Sequence, residues 1–204
     1  MPGENWRRGA VVLVVVALLG VSACTGGGED EEPGGTPSAA VTAPGVPDGW
    51  TEADQDGLAF GLPDGFRRTG GDATDDGTQT TYKAAEGADV PARIDVFTEQ
   101  GQVGSLDIRV GLLVSRVESE LGATVEGPDD VEVPGATIAQ EFSYTYSIDR
   151  DGGSTDVRQV DLLIDREGLP KYGIRYAATP DEFDEQVWED LKSSLAVVGK
   201  AQEG

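Results

Sequence analysis

The sequence predicts an α+β fold, an antiparallel β-sheet with helices packed on it, over residues 48–200. Three observations carry that expectation. Short strand-like runs around residues 60, 80 and 95 precede a segment of helical spacing. A meander of alternating strands follows, with turns at Asp151-Gly152-Gly153 and Glu167-Gly168 short enough to make neighbours antiparallel. A well-signalled helix then closes the domain.

The elements come in order. Met1–Ala10 holds Arg7 and Arg8, Val11–Leu19 reads VVLVVVALL, and the small residues Gly20, Ser22 and Ala23 lead to Cys24, the one cysteine. A basic leader, an apolar run and small residues at a cleavage point are the layout of a secretory signal peptide, expected over residues 1–23. A helix from Gly9 to Ala23 would span about 22 Å, short of the roughly 30 Å of a bilayer core. Residues 24–47, Cys24 followed by TGGGEDEEPGGTPSAAVTAPGVP, are expected to be a disordered tether. Repulsion within Glu29-Asp30-Glu31-Glu32 extends it, and as a flexible coil it would reach on the order of 25 Å.

From Asp48 the pattern becomes that of a folded chain. Leu58–Leu62 reads as a strand that stops at Pro63; Gln79–Ala84 and Ala92–Thr98 are further strands. Leu106–Leu121 reads as a helix, capped by Ser105 and striped by Leu106, Val110, Leu113, Val117 and Leu121, with Arg109, Arg116, Glu118 and Glu120 on its solvated side. Thr137–Ile148, Val157–Asp165 and Lys171–Ala178 form the meander. Thr179-Pro180-Asp181-Glu182 supplies a threonine N-cap, proline at the first helical position and a capping-box glutamate. Phe183, Val187, Trp188, Leu191 and Leu195 form the stripe of that last helix.

Composition narrows function. With 15 Lys+Arg against 38 Asp+Glu the formal charge is −23, so no nucleic-acid partner is expected. An anionic membrane surface repels such a chain as well, and membrane contact needs an anchor. The absence of histidine removes the usual general base and the commonest zinc ligand, and one cysteine leaves no intramolecular disulfide or thiolate cluster. No catalytic residue, metal or cofactor is expected. Asp149–Asp156 has the look of a calcium loop, but Gly153, Ser154 and Val160 stand where an EF-hand needs a ligand, a glycine and a glutamate. Carboxylate pairs, as a glycosidase would use, are uninformative among 38 acidic residues. Asp161, inside an apolar strand, is the one to inspect, with an outward orientation expected.

Tyr144, Tyr146, Tyr172 and Tyr176, with Arg158 and Arg175 nearby, form the candidate binding patch. On one sheet face they would suit an acidic or carbohydrate ligand through stacking and charge-assisted hydrogen bonds. The competing expectation is that the tyrosines are core residues under the helices, with their hydroxyls at the rim.

Val21-Ser22-Ala23-Cys24 resembles a bacterial lipobox: an aliphatic residue, a small one, Gly/Ala/Ser, then cysteine. The resemblance implies cleavage between Ala23 and Cys24 and diacylglycerol on the thiol; Val21-x-Ala23 would also suit the general signal peptidase. Loss of Arg7, Arg8 and Glu4 takes the net charge from −23 to −24. Two acyl chains hold to a membrane where one holds weakly, since each buried methylene contributes about 0.8 kcal/mol. The domain itself resembles the PsbP-like fold, through Phe60-x-Leu62-Pro63-x-Gly65-Phe66 after the opening strand and the closing Phe183-to-Leu195 helix. That family includes many actinobacterial cell-envelope lipoproteins, and the resemblance implies an α/β/α sandwich.

The resulting expectation is a lipid-anchored, extracytoplasmic, non-catalytic accessory protein that engages another envelope protein. The alternatives are a small-molecule or lipid carrier with a pocket between sheet and helices and, last, a carboxylate-dependent hydrolase.

Overall fold

The computed structural model describes residues 44–198, apart from 75–76, 85–90, 102–103 and 151–152. The expected signal peptide, the lipobox, the acidic cluster and most of the Asp151-Gly152-Gly153 turn lie outside the described residues.

The chain opens with a hairpin, β1 (Thr51–Gln55) and β2 (Leu58–Leu62). Its two turn residues, Asp56 and Gly57, have φ of 53° and 93°. Positive φ at both positions is the type I′ geometry that matches strand twist, and Asp-Gly suits it. A Cβ at Gly57 would also lie 2.6 Å from the Val198 carbonyl oxygen, so the glycine serves close approach as well. Next come β3 (Arg67–Thr74), β4 (Gly77–Lys83) and β5 (Arg93–Glu99), then α1 (Leu106–Arg116), which ends in a π-helical turn over Val117–Leu121. Gly122, at φ 64°, closes that turn. The rest is β6 (Glu126–Asp130), β7 (Ile138–Arg150), β8 (Gly153–Asp165), β9 (Lys171–Ala178), α2 (Glu185–Ser193) and β10 (Ala196–Val197).

The strands pair antiparallel throughout, in a seven-stranded sheet of order β3-β4-β5-β9-β8-β7-β6 and a three-stranded one of order β1-β2-β10. Among the described residues the fold is α+β, mostly sheet, with two helices. The expected strands at 58–62, 79–84 and 92–98 and the three-strand meander are all present. β1, β3, β6 and β10 had no expectation behind them: RRTGGDAT and EGPDD carry no apolar alternation, and pairing with a neighbour makes them strands.

The main core lies between one face of the large sheet and the layer made by α2 and the small sheet. Val160, Leu162 and Ile164 of β8 and Tyr172, Ile174 and Tyr176 of β9 face it, and Trp188 and Leu191 of α2 and Leu58 and Phe60 of β2 close it. Trp188 donates from Nε1 to Glu141 Oε2 at 3.1 Å, and Lys192 Nζ meets the same oxygen at 2.8 Å.

Both helices depart from the sequence reading. Thr179–Glu182 is a turn rather than the start of α2. Glu182 N donates to the Thr179 carbonyl at 3.0 Å, and Asp184 is the N-cap, accepting from Gln186 N at 2.9 Å and Val187 N at 3.4 Å. Phe183 explains the delay: its ring is buried 4.8 Å from that of Tyr176 with the Arg158 guanidinium 4.2 Å above it, so the chain enters the core before it can coil. Leu195 lies past the end of α2 and is fully buried.

On α1, Ser105 occupies the N-cap position but makes no side-chain cap bond. Arg109, expected in solvent, is 8% exposed, whereas Ile108 and Leu112 are 57% and 67% exposed and Leu121 is also exposed. The inward face is Leu106, Arg109, Leu113 and Val117 with Val110 half-buried, which is most of the expected stripe with an arginine beside it. Arg109 donates to Asp165 and to the Tyr172 carbonyl, and its Nε lies 2.8 Å from Glu99 Oε2. Breaking a buried ion pair costs about 3–5 kcal/mol. Leaving an aliphatic side chain part-exposed forgoes less than the roughly 1.5–3 kcal/mol of full burial. The ion pair, which joins α1 to β8, outweighs the exposed side chains in seating the helix.

Candidate functional site

A β-strand sends successive side chains to opposite faces, and cross-strand partners share a face. Tyr176 pairs with Val160, and Tyr144 pairs with Gln159. Because residues 159 and 160 are consecutive, the sheet separates the tyrosines. Tyr172, Tyr176 and Arg158 belong to the α2 side, where Arg158 meets Glu185. Tyr144, Tyr146 and Arg175 belong to the α1 side. The single aromatic patch does not exist. Tyr172, Tyr176 and Tyr144 are buried, which is the competing expectation.

Two clefts flank α1 where it stands off the sheet. One, of about 480 Å³, lies toward the helix N-terminus, between Ile108, Leu112 and Leu113 on α1 and Phe97, Leu163 and Gly173 on the sheet. The other, of about 350 Å³, lies toward the C-terminus, between Leu121 on the π-helical turn and Arg93, Tyr144 and Tyr146 on the sheet. Leu112, Leu113, Arg116 and Arg175 wall both. A groove of about 560 Å³ near Pro44, Pro134, Ile138 and Lys192 lies elsewhere, without a comparable polar cluster.

The polar floor of the clefts centres on Asp161, which is 3% exposed, not outward-facing as expected. Tyr144 donates from its hydroxyl to Asp161 Oδ2 at 2.6 Å, Gln159 Nε2 to the same oxygen at 2.9 Å, and Arg175 Nε to Oδ1 at 2.7 Å. Gln159 Nε2 also donates to the Tyr144 hydroxyl, and the Tyr146 hydroxyl donates to Gln159 Oε1 at 3.1 Å. Asp95 on the same face accepts from Thr81 Oγ1 at 2.7 Å and lies 3.2 Å from Arg93 Nε. At the far end Asp165 meets Arg109 and, at 3.4 Å, Lys171.

This arrangement settles protonation. Burial pushes the Tyr144 phenol up from its usual pKa, and the negative charge of Asp161 pushes it further, so Tyr144 remains a proton donor. Burial acts to lower the Arg175 pKa, but the charge and hydrogen bond of Asp161 outweigh it and hold the guanidinium positive. The floor is a set of fixed donors and paired charges that satisfy one another.

Four of the chain's five tyrosines, Tyr82, Tyr144, Tyr172 and Tyr176, have raised pKa values, with burial the largest cause in each. A raised folded pKa stabilises the fold fully below the unfolded phenol value of about 10 and loses that contribution as pH rises beyond it. Alkaline titration is expected to release these four phenolates, read at 295 nm, together with loss of near-UV circular dichroism. Their ionisation near pH 10 with the fold intact would contradict the burial assigned to them.

Arg93, Arg109 and Arg116 were missed as cleft residues. A partial signal existed: Asp161 and Asp165, four apart on one strand, share a face, and buried carboxylates call for basic partners. Among the described residues there is no cluster of His, Cys, Asp or Glu that could hold a metal, and no helix long and apolar enough to cross a membrane.

No known family model matches the chain, and no curated protein matches it. Among solved structures it is similar to PA94, a protein of unknown function from Pseudomonas aeruginosa, at 17% identity and a TM-score of 0.48. That match covers 75% of this chain and 99% of the other.

Proposed function

We propose that this chain is a lipid-anchored, extracytoplasmic accessory protein of the bacterial cell envelope, carrying a PsbP-like α/β/α domain that binds another envelope protein and performs no catalysis. The observation that carries this reading is Val21-Ser22-Ala23-Cys24, with the only cysteine at the first position after the cleavage point. Diacylglycerol on that thiol supplies the two chains needed to hold an acidic domain at a membrane. In the domain, Asp95, Asp161 and Asp165 are each committed to hydroxyl or basic partners, which supports holding over turnover.

In its native host, the mature chain is expected in the membrane fraction with a diacylglycerol mass on Cys24. Cys24→Ala is expected to move essentially all of it to the soluble fraction. A mature form cut after Ala23 with an unmodified thiol overturns the anchor. Cross-linking in native envelope is expected to recover one specific partner; recovery of this chain alone overturns the accessory role.

A second reading, a small-molecule or lipid carrier, is favoured by one observation, the pair of clefts beside α1 with their apolar walls and polar floor.

A further inference from the structure

Arg93, Arg109, Arg116 and Arg175 all reach the walls of the α1 clefts, against three acidic side chains there, Glu99, Glu120 and Asp161. With Asp95 and Asp165, which pair with Arg93 and Arg109, the cluster is close to balanced, in a chain of formal charge −23 whose surface otherwise turns anions away.

The four arginines are not equally committed. Arg109 is held by Asp165, Glu99 and the Tyr172 carbonyl, and Arg175 is held by Asp161. Arg116 has a side chain 76% exposed and pairs with Glu120 one turn away, a surface pair of little net strength. Arg93 is 39% exposed at its side chain, and its buried Nε, though 3.2 Å from Asp95, makes no aligned hydrogen bond. Both line the 350 Å³ cleft, so two guanidinium groups there can turn to an incoming anion. The 480 Å³ cleft beside it is walled by Ile108, Leu112, Leu113, Phe97 and Leu163. Its volume falls within the roughly 300–1,000 Å³ of small-molecule sites. An apolar slot therefore leads to a cationic end, with Leu112, Leu113 and Arg116 common to both.

We propose that the α1 clefts bind a single-chain anionic amphiphile, its alkyl chain along Ile108, Leu112 and Leu113 and its carboxylate or phosphate head on Arg116 and Arg93. The proposal rests on the carrier reading. It accounts together for two aliphatic side chains left in solvent and for two part-exposed arginines, Arg93 and Arg116, at the end of the slot.

Isothermal titration of the full chain carrying Cys24→Ala, below the micelle concentration, tests it. Saturable binding of dodecanoate and dodecyl phosphate is expected, weakened about tenfold by Arg116→Gln and at least as much by Leu112→Asp. Both positions are mostly exposed, and far-UV circular dichroism confirms that the variants fold. Dodecyl maltoside, with the same chain and a neutral head, is expected to bind about tenfold more weakly than dodecanoate; inorganic phosphate, a head without a chain, is expected not to saturate.

The proposal is overturned by absence of saturable dodecanoate binding, by equal affinity for the maltoside, or by saturable binding of phosphate alone. It is overturned equally if Arg158→Gln, on the opposite sheet face, causes the same loss as Arg116→Gln. Such a failure with an envelope partner still cross-linked discards the carrier reading and leaves the accessory reading standing. Binding as expected with no cross-linked partner does the reverse.

Discussion

Asp161→Leu is expected to destabilise the domain by about 3 kcal/mol, because it leaves the Arg175 guanidinium inside the structure without its counter-ion. Breaking a buried pair costs about 3–5 kcal/mol, and the lower end applies because the Arg175 side chain keeps 26% of its exposure. Tyr144 and Gln159 lose an acceptor in the same step, although they remain bonded to each other. For a domain of this size the loss corresponds to a melting temperature lower by roughly 6–12 °C. Asp161→Leu combined with Arg175→Met is expected to recover most of it, since exchanging a whole buried pair for apolar groups is often neutral or better. Thermal melts of the parent, the two single variants and the double variant give the coupling directly. A single variant within about 2 °C of the parent would sink the assignment of Asp161 as the counter-ion on which the cleft floor depends.

Trp188→Ala is expected to cost about 3–5 kcal/mol, the range for removing a large aromatic side chain from a packed core. Trp188 is 1% exposed and fills the space between α2 and the sheet beside Leu191. Trp188→Phe separates packing from polarity. It keeps a ring in the core but removes the Nε1 donor to Glu141, which retains Lys192 as a partner. Its polar component should therefore be about 1 kcal/mol. Urea unfolding is expected to rank parent, Trp188→Phe and Trp188→Ala in that order. Equal midpoints for the parent and Trp188→Ala would show that α2 is not seated on this core.

The two helices show where sequence reading stopped. Local signals placed α1 correctly in the chain, and its five-residue apolar stripe was real as a pattern. Leu106 and Val117 of that stripe are buried, Val110 and Leu113 half-buried and Leu121 exposed; the pattern missed Arg109, because it counts apolar side chains and is blind to what the opposite surface demands. That surface offers Asp165 and Glu99, and Arg109 answers them from beside the stripe, while Ile108 and Leu112, outside it, stay exposed. At α2 the capping signature Thr179-Pro180-Asp181-Glu182 was satisfied as a turn, with Thr179 Oγ1 donating to Glu182 Oε2 at 3.1 Å. Phe183 needed the core first, and Asp184 took over the cap.

The candidate site was legible in fragments. Tyr144, Tyr146 and Arg175 do belong together, at the α1 clefts, while Tyr172, Tyr176 and Arg158 lie behind the sheet. Alternation within a strand fixes which residues of that strand share a face, since the side-chain period of two is a local property. It does not fix which face of one strand adjoins which face of the next, because that follows from register, and register is set by pairing across the sheet.

By itself, then, the sequence determined the α+β class, the three long antiparallel strands of the meander and the inward row Val160, Leu162 and Ile164, all of which follow from short-range periodicity and turn chemistry. Only the tertiary structure decided the division of the tyrosines, the burial of Asp161 and the burial of Arg109. Each of those depends on a charge or a hydrogen-bond partner more than ten residues away, and burying an unpaired charge costs more than exposing an aliphatic side chain.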